Sequence, residues 1–238
     1  MGCSSKINYT YTNLLDDDSK NEFIELLQNV NINQTTIYEY IGLIDSYNKT
    51  KYPQTLKTRY ITTYITTDVN KKLYNYTEAI NCWASDNAEL TDINCRIAAF
   101  VLMKDYINFD ISNKIESDLL KEIHNDFYKL NETDAEKYIA VFNVLEWDNI
   151  SLKFVENSPV KLISVCVQFN ETDKIVVAHS GVLLNYENGI FFIEKIDPML
   201  PFQFSEFKNK NDLKLYLENR FEKPFKLYIL ENDNLLVE

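Results

Sequence analysis

Near residue 158 the hydrophobic pattern of this chain changes period. Before that point apolar residues recur at helical spacing. Phe23, Leu26, Leu27 and Val30 follow the acids and serine of "DDDSK", which read as a helix start. Ile37, Ile41, Ile44 and Tyr47 line one face of "NQTTIYEYIGLIDSYNKT". Helical character resumes at 77–84, is strongest at 93–108, and continues through 115–130 and 133–147. His124 flanks the stripe Ile115, Leu119, Ile123 and Phe127 and reads as a boundary residue. The Thr- and Tyr-rich stretch 50–75 reads as an irregular excursion with one short strand. After 158 the β-branched runs "VKLISVCVQFN" and "KIVVAHSGVLLNY" predict strands joined by a turn at Glu171-Thr172-Asp173. "ENG" makes the next turn, "IFFIEKI" is a third strand, "KNDLKLYLENRF" a short helix and "FKLYILEN" a last strand. Helices first and an antiparallel sheet after them predict an α+β fold. Residues 16–238 read as one domain, with 16–150 mainly helical and 158–238 mainly sheet, behind a flexible tether at 1–15.

Composition narrows the function classes. The chain has only four glycines, and neither G-x-G-x-x-G nor G-x-x-x-x-G-K-[ST] occurs, so the common phosphate-cradling loops are absent. Net charge is −12 with no basic run beyond a pair of lysines, a surface that repels nucleic-acid phosphates. The apolar run Ile97–Met103 is far below the roughly 18–20 residues that span a bilayer. No C-x-x-C pair occurs and there are two histidines, which argues against a zinc centre, and no cofactor is implied.

The N-terminal "MGCSSKINYTYTN" leaves three readings open. A myristoylation signal wants Ser or Thr where Lys6 stands. Gly2-Cys3-Ser4-Ser5 instead fits a bacterial lipidation site at Cys3, provided that a signal peptide was removed upstream and Met1 is not native. An ordinary exposed tail is the third. If Cys3 carries lipid, Cys82, Cys95 and Cys166 remain, and an odd number cannot all pair. At least one thiol then stays free on the outer face of the membrane. Three buried, reduced cysteines are the alternative.

Cys95 opens the most apolar helical segment. With Thr91 or Asp92 as cap, it falls in the first turn, where unpaired N–H groups and the helix dipole favour thiolate over thiol. A core cysteine is the competing reading. Arg96 is unusual there, because a cation in the first turn opposes the dipole by roughly 0.3–1 kcal/mol. An acidic partner or an anionic part of a substrate would offset this, whereas a solvated arginine needs neither.

His179 stands in the strand "IVVAHSGVLL", followed by two small residues that leave room before the ring. Glu194 interrupts the apolar "IFFIEKI", and an acid in such a strand needs a partner. In a hairpin turning near Glu187–Gly189 the two fall close to facing positions. A carboxylate facing an imidazole orients it and stabilises the imidazolium. Cys95, His179 and Glu194 together make a nucleophile, a base and an orienting acid.

This order resembles the papain-like thiol hydrolases in the broad sense, including bacterial cell-wall amidopeptidases and transglutaminase-like proteins. Residues 80–220 also resemble a family of Gram-positive bacterial lipoproteins known as a domain of unknown function. That resemblance is carried by Trp83, by Asn94-Cys95-Arg96 entering an apolar helix, by His179-Ser180-Gly181 and by "FIEKIDPMLPFQFSEFKNKNDL". It implies a papain-like fold, with a cysteine-bearing helix packed on an antiparallel sheet, and a lipid on Cys3. The expected protein is an envelope lipoprotein with an amidase- or peptidase-like site. Cys95 attacks a carbonyl, His179 acts as base then acid, Glu194 holds the ring, and the Cys95 N–H with Asn94 meets the oxyanion. Arg96 and Trp83 complete the substrate-binding set, and peptide of a peptidoglycan-like kind is the expected substrate. The alternative is a surface lipoprotein that binds a ligand or partner without catalysis.

Overall fold

The computed structural model describes residues 7–49, 65–69, 72–77, 79, 81, 93–111, 137–138, 142, 150–168, 175–187, 189–221 and 226–236. Helix α1 (Asp17–Asn29) starts where Asp16 Oδ1 accepts the Ser19 N–H at 2.9 Å, with Asp17 and Asp18 in the first turn on the favourable side of the dipole. Helix α2 (Gln34–Asn48) is capped in the same way by Asn33. Phe23, Leu26 and Leu27 of the first helix and Ile37, Ile44 and Tyr47 of the second are buried, as their spacing predicts. Helix α3 (Cys95–Met103) is different: every residue from Ile97 to Met103 is buried. A helix apolar on all sides belongs inside the molecule, and α3 lies between α2 and the sheet.

The main sheet has eight strands: β1 (Asn8–Thr12), β2 (Ile65–Asp68), β5 (Val160–Gln168), β6 (Ile175–Tyr186), β7 (Gly189–Lys195), β8 (Phe202–Phe207), β9 (Lys226–Glu231) and β10 (Asn234–Leu235). Their order is β10-β9-β5-β6-β7-β8-β1-β2, antiparallel throughout. Both faces are covered. Val182, Leu184, Ile193, Phe202 and Phe204 join the core formed with α1, α2 and α3. Ile163, Val165, Leu183 and Phe192 point the other way, toward Tyr9 and helix α4 (Lys210–Arg220). Burial on both faces explains why the strands read as continuous apolar runs. The architecture is α+β, with a large antiparallel sheet.

Several expectations are corrected. Residues 8–14 are not tether. β1 lies between β8 and β2, and Tyr9, Tyr11, Thr12, Asn13 and Leu14 are buried. The Tyr/Thr alternation of "NYTYT" is a strand pattern, and a polar composition hid it. The helix predicted to reach 108 ends at Met103. A 3-10 turn (Lys104–Tyr106) leads into β3 (Ile107–Ile111), which pairs with β4 (Ile150–Phe154) as a separate ribbon inside the part read as mainly helical. β8 was not expected either. Its polar residues Gln203 and Ser205 are buried, so its inward faces do not look apolar in sequence. The helix at 115–130 with His124, most of that at 133–147 and the turn at Glu171-Thr172-Asp173 lie outside the described residues.

Candidate functional site

Two local departures from regularity bring the site together. The first is the start of α3. Asn94, in extended conformation, is the cap, and its Oδ1 accepts the Ile97 N–H at 3.0 Å. The cap is therefore Asn94, not Thr91 or Asp92, and Cys95 is the first helical residue. The second is a bulge in β6. Val165 pairs with His179 but Cys166 pairs with Val177, so Ala178 has no opposite number. A bulge adds twist and re-aims the side chains beside it, here His179.

The β6–β7 register places Gly181 opposite Glu194. Glu194 is then a diagonal neighbour of His179 on the same sheet face, within reach for long side chains. Its Oε2 lies 2.6 Å from His179 Nε2. Both residues are almost fully enclosed, at 2 % and 1 % exposure. With Nε2 held by the carboxylate, Nδ1 is the ring nitrogen left for Cys95, which lines the same cleft and whose ionisation is tied to that of the ring. Cys95, His179, Asn94, Arg96, Tyr76 and Asp197 line one cleft of about 360 Å³.

Glu194 has two further donors that the sequence did not announce. Tyr216 Oη donates to its Oε1 at 2.6 Å, and Arg220 Nη1 donates to Oε2, the oxygen that also meets His179. Tyr216 and Arg220 stand four apart on α4, so they share a face. The second guanidinium nitrogen donates to the Ile196 carbonyl, and Tyr76 also bonds the group. Behind Tyr216, Gln203 donates to the Tyr216 hydroxyl at 3.2 Å and to Ser205 Oγ at 2.9 Å, while Tyr74 Oη donates to Gln203 Oε1 at 2.8 Å. Tyr216, Gln203, Ser205 and Tyr74 thus form a connected chain behind the acid, while the buried Tyr9 hydroxyl, packed against Tyr216, stays outside it. An arginine in the last turn of a helix reads in sequence as an ordinary partner of the dipole.

The charges settle into an alternating row: thiol, imidazole, carboxylate, guanidinium. Burial alone would raise the Cys95 pKa. The charge and hydrogen bond of His179, a hydrogen bond from the Ser180 backbone and the Arg220 charge outweigh burial and hold the thiol below its ordinary value. Burial and the Arg220 charge oppose protonation of His179, but Cys95 and Glu194 win, and its pKa rises. Glu194 is fully buried, which by itself would raise its pKa, yet Arg220, His179 and Tyr216 draw it down to about 2. Opposite shifts in a thiol and its neighbouring imidazole favour a thiolate–imidazolium pair. Cys166 behaves otherwise: it is buried, and burial pushes it up to about 11.

Asn94 and Arg96 flank Cys95 in sequence and line the same cleft. The Asn94 side chain is occupied as the helix cap and also bonds Tyr138. Trp83 and Cys3 lie outside the described residues. Among the described residues no group of three or more metal-ligating side chains occurs, and no helix is long and apolar enough to cross a membrane.

No curated protein and no solved structure matches the chain. One family model does, over residues 10–146 and 144–236, and so across both the helical part that carries Cys95 and the sheet that carries His179 and Glu194. The chain therefore belongs to the family described as a domain of unknown function, DUF4300.

Proposed function

We propose that this protein is a thiol hydrolase of the amidase or peptidase type, with Cys95 as nucleophile, His179 as base and then acid, and Glu194 as the group that holds the ring. The observation that carries this reading is one cleft that places Cys95 beside a His179 held by Glu194, with thiol and imidazole shifted in opposite directions. A cysteine-bearing helix packed on an antiparallel sheet that bears the other two residues supports a papain-like arrangement.

The Cys95 thiolate attacks the carbonyl carbon of an amide, forming the C–S bond as the C=O π electrons move to oxygen. The oxyanion meets the Cys95 N–H, which at the first helical position has no intrahelical acceptor. Asn94 serves this step by fixing the helix start, since its side chain is committed to the cap and to Tyr138. Collapse breaks the C–N bond, and the leaving amine takes its proton from His179, leaving a thioester. His179 then removes a proton from water, which attacks the thioester and releases the acid. Glu194 stays ionised throughout and stabilises the imidazolium.

Gly2-Cys3-Ser4-Ser5 supports a lipid on Cys3 and a place on the outer face of a bacterial membrane, where peptide of the peptidoglycan kind is at hand. A thiol-directed activity probe is the direct test. It labels the wild-type protein at Cys95 and does not label Cys95→Ala; labelling that survives the substitution sinks the assignment. Detergent-phase partition of the full chain, lost in Cys3→Ala, tests the anchor separately.

Arg220 favours one other reading. It shares Oε2 of Glu194 with His179, which dilutes the negative charge that the imidazolium feels. The same cleft would then serve a binding protein without turnover, and Cys95 would titrate near the ~8.5 of an ordinary thiol.

A further inference from the structure

The cleft beside Cys95 holds two guanidinium groups in a protein of net charge −12, and among the described residues only one of them makes an ion pair. Arg220 is committed to Glu194 and to the Ile196 carbonyl. Lys195, next along β7, points its ammonium away into the Asp197, Pro198 and Leu200 carbonyls. Asp197, the carboxylate in the cleft wall, accepts the Met199 N–H and so caps its own loop. Arg96 remains. It is half-buried, it lines the cleft directly after the nucleophile, and among the described residues it makes no ion pair. It also sits in the first turn of α3, where a cation opposes the dipole by about 0.3–1 kcal/mol.

We propose that Arg96 is the anchor for a carboxylate on the substrate, so that the amide cleaved lies beside an acidic group. This rests on the thiol-hydrolase reading and names its substrate class. A guanidinium presents parallel N–H donors that match a carboxylate in a bidentate pair. From the residue after the nucleophile, that grip fixes the scissile carbonyl over the sulfur. The carboxylate can come from an acidic side chain or from a free main-chain terminus, and the chemistry recognised is the same.

Alkylation of Cys95 with iodoacetate and with iodoacetamide tests this without knowing the substrate. The two reagents differ in a carboxylate against a neutral amide, and their rate ratio cancels any general change in thiol reactivity. Relative to the same ratio for glutathione, the wild-type protein favours iodoacetate by roughly tenfold, the scale of one charge-assisted contact of about 1.4 kcal/mol. Arg96→Gln brings the ratio down to that of glutathione, Arg96→Lys keeps part of the preference, and Arg96→Glu inverts it. A wild-type ratio equal to that of glutathione overturns the proposal. So does a preference that persists in Arg96→Gln, which would belong to His179 and Arg220 instead. Failure of the hydrolase reading looks different, since iodoacetamide itself then reacts at Cys95 no faster than with a free thiol at neutral pH. Competition separates the two sources. An N-acetyl amino acid with a free α-carboxylate protects Cys95 if the anchor takes a chain terminus; N-acetyl-glutamate α-amide protects it if the anchor takes a side chain.

Discussion

Glu194 reaches His179 diagonally across the β6–β7 pair, at 2.6 Å, because Gly181 and not His179 is its direct opposite. The offset has a consequence for the thiol. The ring is held by its Nε2 edge, which leaves Nδ1 as the nitrogen available to Cys95, and the imidazole holds that thiol below its ordinary pKa against the effect of burial.

Iodoacetamide should therefore modify Cys95 with a pH inflection below the ~8.5 of a free thiol. In His179→Ala the imidazole's charge and hydrogen bond are gone while burial remains, so the inflection moves up. Cys166, pushed up to about 11, stays unmodified at neutral pH and serves as the internal control. Peptide mapping of the labelled protein across pH 5 to 10 measures both. An inflection at the same pH in wild type and His179→Ala would show that the two side chains are not coupled.

Much of this arrangement is legible in sequence. Cys95 at a helix start, His179 before small residues and Glu194 in an apolar strand each break a local pattern, and a broken pattern can be read. Tyr216 and Arg220 break none: both fit an amphipathic helix, and their role appears only when α4 lies across the end of β7. The bulge at Ala178 is also invisible, because a one-residue slip between β5 and β6 depends on how both strands pair and not on either alone. β1 escaped notice because its neighbours β8 and β2 are distant in sequence, and a polar Tyr/Thr strand earns its burial only from them.

Glu194 links the site to stability. Its pKa is about 2 in the folded protein and ~4.3 in the unfolded chain, so the folded state binds fewer protons between those values. That stability is fully present above the unfolded value and is lost as pH falls from ~4.3 toward 2, a loss of roughly 3 kcal/mol. Denaturant midpoints between pH 6 and 2 should fall steeply for wild type. Glu194→Gln starts lower by about 3–5 kcal/mol at neutral pH, because it leaves the largely buried Arg220 without its counter-charge. It should then lose little more on acidification. The double variant Glu194→Gln/Arg220→Met recovers part of the neutral-pH loss; a double variant as unstable as the single would place the defect elsewhere than in an orphaned charge.

Tyr216→Phe isolates one donor from the network. The ring volume is kept, but Glu194 Oε1 loses a donor at 2.6 Å and Gln203 Nε2 loses an acceptor. The loss of a hydrogen bond to a charged group costs about 1.5–3 kcal/mol. Tyr216 helps to hold the Glu194 carboxyl down, so its removal raises that pKa and brings acid unfolding on at higher pH. Thermal melts at neutral pH give the first effect, and the acid midpoint gives the second. An unchanged acid midpoint would mean that Arg220 and His179 alone set the ionisation of Glu194.

Gly181 is required by packing. A Cβ there would lie 2.3 Å from Phe192 Cζ and 2.8 Å from the Ile193 carbonyl oxygen. Phe192 is itself fully buried, so its ring has no space to swing into. Gly181→Ala should cost about 1–3 kcal/mol as an overpacked core. Because residue 181 is the direct partner of Glu194, the strain also shifts the carboxylate relative to His179. Cys95 alkylation in Gly181→Ala should then titrate closer to an ordinary thiol, in parallel with a lower Tm. Adding Phe192→Leu makes room for the new methyl group at the ring contact and should restore part of both. Recovery of Tm without recovery of the Cys95 inflection would show that the β6–β7 spacing itself, set by the Ile193 backbone contact, is what aims the carboxylate at the ring.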